Sequence, residues 1–142
     1  MRKSNTTIIA GVGMVAFGKP GASDNYDVMG ESAIREALAD SGLDFTHIKQ
    51  AYAGYVYGDS TCGQKVIYKV GMTGIPVFNV NNNCSTGSSA LFMARQAVES
   101  GLVDCALAVG FEQMQPGALG SVWDDRPSPF DDFDTELSLI HI

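Results

Sequence analysis

The chain has 142 residues, of which 45% are hydrophobic and 18% charged, a composition typical of one compact α/β domain rather than a disordered chain. Its formal net charge of −7 argues against a nucleic-acid partner or an anionic membrane surface, because no basic face can release counterions. No apolar run reaches membrane-spanning length, and glycines interrupt the apolar stretch after the basic amino end. These features predict a cytoplasmic protein with no membrane span.

The first half of the chain predicts two strands, each followed by a helix. The apolar, β-branched run at 7–17 predicts a buried strand. A turn separates it from a helix over 26–41, for which Gly42 suits the C′ position. A second strand at 50–57 and a short helix at 61–70 follow.

The second half continues the alternation and then changes character. A strand at 76–80 leads into a helix over 88–100, and the continuous apolar run at 104–110 predicts a strand covered on both faces. Strands alternating with helices predict an α/β fold with a mostly parallel central sheet and helices on both faces. Beyond Gly110 the chain becomes loop-like and polar, and an apolar hexamer at 137–142 without a partner element suggests a sequence that is cut off.

Gly11-Val12-Gly13-Met14-Val15-Ala16 matches the spacing of a dinucleotide-binding fingerprint. That fingerprint requires a helix to begin within it, so that the helix N-terminus holds the pyrophosphate. The residues from Phe17 to Gly21 prevent a helix there. We therefore interpret these glycines as the end of a strand.

Cys84 stands between the third predicted strand and the following helix. At a helix N-terminus, unpaired backbone N–H groups and the helix dipole favour negative charge. Because the thiolate is the nucleophilic form of cysteine, this position makes Cys84 a candidate acyl-accepting nucleophile. The alternative is a buried structural thiol at a helix start.

The other two cysteines are weaker candidates for the nucleophile. Cys62 also opens a predicted helix and is the rival nucleophile, its alternative being a small residue packed at a helix start. Cys105, within an apolar run, is interpreted as an inert core thiol. The three cysteines are an odd number with wide spacing, and they form no metal motif with His47 or His141. This pattern indicates reduced thiols and no metal site. We expect a structural role for His47.

Glu112 and Met114 follow the last predicted strand. In α/β sheets the functional sites lie at the carboxyl ends of the strands, so both side chains are candidates to line the same pocket as Cys84. For Glu112, a solvated loop carboxylate is the equally simple alternative.

The residues around Cys84 resemble the thiolase superfamily. Cys84-Ser85-Thr86-Gly87 resembles its nucleophile motif Cys-x-x-Gly, and Gly110-Phe111-Glu112-Gln113-Met114 resembles its Gly-Gly-x-Glu-x-Met segment with one glycine retained. Longer runs at 54–64, 71–76 and 81–96 are very similar to the sterol-carrier-protein-x type of thiolase.

The extent of this resemblance predicts the domain organisation. Residues 1–126 are expected to form an incomplete N-terminal thiolase-like domain, a half-domain that is duplicated in the complete enzyme and assembled as a homodimer. Residues 127–142 are expected to be a polar loop and a truncated tail.

The resemblance implies an acyltransferase that acts on acyl-CoA. Cys84 would attack a 3-oxoacyl-CoA, keep the acyl group as a thioester, and pass it to coenzyme A. Its backbone N–H would donate to the thioester oxyanion, and Asn83 and Gly87 would line the pocket with Glu112 and Met114. Coenzyme A and acyl-CoA would be substrates rather than permanently bound cofactors.

Other functions within and beyond this superfamily stay open. The family's Gly-His-Pro histidine and Cys-x-Gly cysteine have no position in this sequence, so residues 1–142 alone are expected to be inactive. A ketoacyl-synthase-like condensing enzyme is one alternative. A non-catalytic thiolase-like protein that binds or transfers lipid is another, and the peroxisomal matrix is the alternative compartment.

Overall fold

The computed structural model describes residues 6–116 and 123–127. Within them the chain forms an α/β unit with the elements in the following order. These are α1 (Tyr26–Ser41), a 3-10 helix (Phe45–His47), β1 (Gln50–Gly54), α2 (Cys62–Val70), β2 (Val77–Val80), α3 (Thr86–Glu99) and β3 (Ala106–Gly110). No helix in these ranges is both long and apolar enough to cross a membrane. Of the predicted tail at 127–142, residues 128–142 lie outside the described residues.

The three strands form a parallel sheet in the order β2-β1-β3. Because side chains alternate across a strand, β1 supplies both faces of this sheet. Ala51 and Ala53 pack with residues of α1 and α2, including Ile34 and Val66, whereas Tyr52 packs on the alanines of α3. The predicted parallel sheet with helices on both faces is therefore confirmed.

The helix predicted over 26–41 is confirmed at both ends. It ends at Ser41, where Gly42 adopts the left-handed conformation with φ of 68° and its N–H donates to Ala39 O. A glycine has no Cβ to oppose this backbone conformation, which makes it the common residue after a helix.

The strand predicted over 7–17 is wrong. This segment has no regular secondary structure and runs alongside α1. The backbone N–H of Val12 donates to the Asp40 carboxylate at 2.9 Å, and that of Met14 donates to Glu36 at 3.0 Å. Among the described residues no strand pairs with the segment, so side chains of α1 satisfy backbone groups that a neighbouring strand would otherwise bind.

Gly11 and Gly13 permit this close approach. A Cβ at Gly11 would overlap the backbone of Ala37, and a Cβ at Gly13 would overlap that of Ala33. No helix begins within the glycine fingerprint, and the nearest one starts at Tyr26. The glycines thus serve the contact with α1, and their interpretation as a strand end is wrong together with the predicted strand.

Candidate functional site

The carboxyl ends of all three strands meet at one edge of the sheet, which we call the carboxyl edge. The strands end here at Gly54, Val80 and Gly110. Directly beyond them, the N–H of Phe111 donates to Gly54 O at 3.1 Å, and the N–H of Tyr55 donates to Val80 O at 3.3 Å. The segments that leave the three strands are therefore joined by backbone hydrogen bonds.

Gly54 lets the first turn of α3 approach this edge. A Cβ at Gly54 would lie 2.7 Å from Thr86 Cγ2 and 2.8 Å from Thr86 O, which is closer than real contacts allow. A Cβ at Gly110 would lie 3.5 Å from Gly87 Cα, which is an ordinary van der Waals contact. The absence of a side chain at Gly54 therefore sets how near the helix start lies to the sheet.

The loop between β2 and α3 places Cys84 at the surface of the carboxyl edge. Cys84 is exposed and comes one residue before the N-cap, Ser85. Asn83 has a positive φ of 48°, a conformation that asparagine tolerates better than most residues. The buried hydroxyl of Thr86 accepts the Asn82 N–H at 2.7 Å and so holds the loop from inside.

Among the hydrogen bonds of this loop, the Cys84 thiol takes part in one weak contact. The N–H of Ser85 donates to Asn82 O and that of Thr86 donates to Asn83 O, both at 3.1 Å. The Cys84 thiol lies 3.8 Å from Asn83 Oδ1, which is a weak contact. The thiol therefore stands beside the helix start with one polar neighbour among these contacts.

The rival cysteines are less accessible. Cys62 is 4% exposed, and its thiol lies beneath Gly58, where a Cβ would be 2.8 Å from Sγ. A hydrogen bond with Cys62, followed by burial, raises the pKa of Tyr26 to about 12. Cys105 is half-buried, and this burial raises the pKa of its thiol. Of the three thiols, that of Cys84 is the exposed one.

Glu112 is not a freely solvated carboxylate. It is half-buried and accepts the backbone N–H of Val56 at 2.9 Å and that of Tyr57 at 3.2 and 3.3 Å. It also accepts the N–H of Gln113 at 3.2 Å. Met114 is 38% exposed. The proposed lining of one pocket by Asn83, Gly87, Glu112 and Met114 stays a prediction.

The residues beside Glu112 also reach neighbouring segments, which sequence reasoning missed. Phe111 stacks between Tyr26 and Tyr55, with ring centroids 5.4 and 5.2 Å away. Gln113 Oε1 accepts the N–H of Tyr26 at 3.0 Å, at the first residue of α1. The similarity of this segment to a family motif was the available signal, but neither aromatic partner is near it in sequence.

His47 lies far from the carboxyl edge along the strand direction. It is exposed, precedes β1, and its Nδ1 lies 3.2 Å from Asp44 O. Because β1 runs from this end toward Gly54, His47 and Cys84 are at opposite edges of the sheet. The structural role expected for His47 stays a prediction, and His141 lies outside the described residues.

The comparisons with known proteins match the part of the chain that contains the Cys84 site. The model of the thiolase N-terminal domain matches residues 7–121. Sterol carrier protein 2 of Gallus gallus is 54% identical over 125 residues, covering 87% of this chain and 23% of that protein. The benzoylsuccinyl-CoA thiolase subunit BbsB of Thauera aromatica is 37% identical over 114 residues, covering 79% of this chain and 29% of the subunit.

The fold is shared with solved condensing enzymes. A priming β-ketosynthase from a polyketide biosynthetic pathway is 29% identical with a TM-score of 0.59, covering 64% of this chain and 28% of that one. The chain spans about a quarter of the length of the curated relatives it matches. The resemblance to sterol-carrier-type thiolases is confirmed, and the chain belongs to the thiolase N-terminal domain family.

Proposed function

We propose that this chain is the N-terminal part of an acyl-CoA acyltransferase of the 3-oxoacyl-CoA thiolase type, with Cys84 as its nucleophile. The observation that carries this proposal is the placement of an exposed thiol at the carboxyl edge, directly before α3. The carboxyl ends of parallel strands are where α/β proteins place their sites. The other two cysteines are buried or half-buried.

The proposed reaction has two steps that share a thioester. In the first, the Cys84 thiolate attacks the 3-oxo carbon, the bond between C2 and C3 breaks, and protonation of C2 releases acetyl-CoA. In the second, the thiol of coenzyme A gives its proton back to the group that protonated C2, its sulfur attacks the thioester and takes the acyl group, and Cys84 leaves as the thiolate. Splitting the transfer in this way replaces one difficult step with two easier ones.

The resemblance to thiolases implies an oxyanion donor next to the nucleophile, and we assign it to the backbone N–H of Cys84. Backbone donors at such sites stabilise developing negative charge. The base that activates Cys84 and the acid that protonates C2 are assigned to the part of the thiolase fold that this chain does not span.

The wider setting of the protein is part of the same proposal. Coenzyme A and acyl-CoA enter as substrates, and the complete protein assembles as a homodimer. Cys62, Cys84 and Cys105 are all free of disulfides, which supports a reducing compartment. We place the protein in the cytoplasm, with the peroxisomal matrix as the alternative.

Two further functions have an observation in their favour. The similarity to a priming β-ketosynthase supports a condensing enzyme, in which the acyl group on Cys84 would pass to a carbon nucleophile instead of coenzyme A. The similarity to sterol carrier protein 2 supports a lipid-binding protein without a covalent step. The three functions differ in what becomes of the Cys84 thiol.

Mass spectrometry of the gene product at its natural length tests these alternatives. After incubation with a 3-oxoacyl-CoA, we expect an added acyl mass that maps to the Cys84 peptide and disappears when coenzyme A is supplied. The Cys84→Ser variant should gain no mass, and the matched Cys62→Ser variant should still gain it. An unmodified protein that retains lipid would favour the carrier. An acyl group on Cys62 would overturn the site.

A further inference from the structure

We infer that Glu112 is a positioning residue for the Cys84 loop, an inference that rests on the proposed acyl transfer. Its carboxylate accepts backbone N–H groups from the segment that leaves β1, at Val56 and Tyr57. The Val56 contact at 2.9 Å has the length of a charge-assisted hydrogen bond, and the Tyr57 contacts at 3.2 and 3.3 Å are longer. Glu112 therefore fastens the segment after β1 to the segment after β3.

The fastened segment is joined in turn to the chain that carries the nucleophile. The N–H of Tyr55 donates to the carbonyl of Val80, the last residue of β2, at 3.3 Å. Four residues after Val80 the chain reaches Cys84. Residues 55–57 are thus held on one side by Glu112 and on the other by the strand end that leads into the Cys84 loop.

The residues on either side of Glu112 reinforce this arrangement. Phe111 stacks on Tyr55, and its N–H donates to Gly54 O. Gln113 binds the start of α1 through the Tyr26 N–H. Three consecutive side chains after β3 therefore reach two different neighbouring segments, and Glu112 is the one that binds the backbone beside the Cys84 loop.

Both oxygens of the Glu112 carboxylate accept hydrogen bonds. Oε2 accepts from Val56, and Oε1 accepts from Tyr57 and Gln113. Glutamine would keep the length of the side chain and one acceptor oxygen, but its amide NH₂ would face a backbone N–H. Alanine would remove every acceptor. Glu112→Gln should therefore weaken the positioning of the Cys84 loop in part, and Glu112→Ala should weaken it more.

The experiment compares Glu112→Gln and Glu112→Ala in the gene product at its natural length. Acylation of Cys84 should slow roughly 10- to 100-fold in Glu112→Ala, because small displacements of reacting groups carry losses of this order. Glu112→Gln should recover part of the rate. Substrate concentration dependence should show the loss in the maximal acylation rate more than in the half-saturating concentration. Glu99→Ala, which removes an exposed partner of Arg95 on α3, is the matched control.

Hydrogen–deuterium exchange supplies a measurement that does not need the reaction. In Glu112→Gln and Glu112→Ala, amide exchange should accelerate at residues 56–57 and also at residues 81–85. Faster exchange confined to 56–57, with a wild-type acylation rate, would overturn the inference. If wild-type protein is not acylated, the proposed function fails, and the exchange at 81–85 still decides whether Glu112 positions the loop. Uniformly faster exchange throughout the chain in both variants would reduce Glu112 to a stability role and would also overturn the inference.

Discussion

At the scale of single residues, the three thiols differ mainly in their access to solvent. Cys84 is exposed, whereas Cys62 is 4% exposed and Cys105 is half-buried with a raised pKa. Reaction of a thiol requires both access and the thiolate form. Accessibility therefore ranks Cys84 first among the candidate nucleophiles.

We predict that iodoacetamide modifies Cys84 before the other two cysteines. A raised pKa leaves less thiolate on Cys105 at neutral pH, and burial keeps the reagent from Cys62. The order of modification can be followed by peptide mass spectrometry over a time course. Equal rates at Cys62 and Cys84 would contradict the described burial.

The approach of α3 to the sheet depends on Gly54. Gly54→Ala is expected to destabilise the protein by about 1–3 kcal/mol, because the new Cβ would overlap Thr86. The matched change Gly87→Ala meets nothing within 4 Å and lies in the first turn of α3. Gly87→Ala should be neutral or should raise the free energy of unfolding by about 0.4–1 kcal/mol, because alanine lowers the conformational entropy of the unfolded chain. Thermal unfolding of both variants checks the pair, and equal destabilisation would contradict it.

At the scale of secondary-structure elements, α1 and α2 are held together by an ion pair as well as by apolar contacts. The Asp27 side chain is 12% exposed and lies 2.9 Å from Lys69 Nζ, with Lys65 Nζ at 3.9 Å. The hydrogen bond from Lys69 lowers the pKa of Asp27 from its ordinary value of 3.8, and burial opposes this shift. The pair thus stabilises the charged form of the carboxyl in the folded protein.

We predict that this stabilisation is lost in acid. Because the folded pKa of Asp27 is lowered, its contribution is fully present above the unfolded pKa of 3.8 and disappears as the pH falls through the folded pKa. Asp27→Asn should cost about 1–3 kcal/mol at pH 7, as for other hydrogen bonds between charged groups. Urea unfolding of wild type and variant from pH 7 to pH 3 should show the difference shrinking below pH 3.8.

An exposed ion pair provides the control for this comparison. Arg95 and Glu99 form a pair on α3 with side chains that are 63% and 37% exposed. Glu99→Gln should change stability by only about 0–0.5 kcal/mol, because solvent screens such pairs. A loss of stability in Glu99→Gln as large as that in Asp27→Asn would show that burial does not account for the difference between the two ion pairs.

A side chain from β2 completes the start of α2. Thr61, at the N-cap, has a φ of 69° and makes no capping hydrogen bond, while Asn79 Oδ1 accepts the Gly63 N–H at 2.9 Å. Asn79→Ala should therefore cost about 1 kcal/mol, as other cap losses do. Thermal unfolding measures this, with Asn81→Ala as the comparison, because it removes a 3.2 Å hydrogen bond from the Asn83 N–H but leaves the start of α2 intact. An unchanged melting temperature in Asn79→Ala would contradict the capping role.

At the scale of the whole molecule, the described residues bring the candidate nucleophile Cys84 to the carboxyl edge without a histidine beside it. His47, the histidine in those ranges, lies at the opposite edge. General acid–base catalysis needs a group within hydrogen-bond reach of the proton it moves. The arrangement of Cys84 and His47 does not meet that requirement.

We therefore predict that purified residues 1–142 do not catalyse thiolysis of a 3-oxoacyl-CoA above the level of a Cys84→Ser control. The assay follows the loss of the 3-oxoacyl-CoA absorbance in the presence of coenzyme A. Circular dichroism of both forms ensures that the comparison is between folded proteins. Turnover above that control would contradict the expectation that acid and base lie in the rest of the fold.

By itself, the sequence determined the three α-helices, the three paired strands, the family and the candidate nucleophile. Local signals were enough for these features: the apolar periodicity of 26–41, the αL glycine at Gly42, and the motif around Cys84. Each depends on residues that are near one another in the chain, so spacing and residue type carry the information.

Only the tertiary structure decided features that depend on distant partners. The run at 7–17 has the composition of a strand, but a strand forms only where another strand offers its backbone, and here the side chains of α1 bind the segment instead. Sequence alone could not tell a solvated Glu112 carboxylate from one bound to the backbone, because its N–H partners at Val56 and Tyr57 lie more than fifty residues earlier. Such contacts are set by how the elements pack, because residue type alone does not specify which backbone group a side chain will meet.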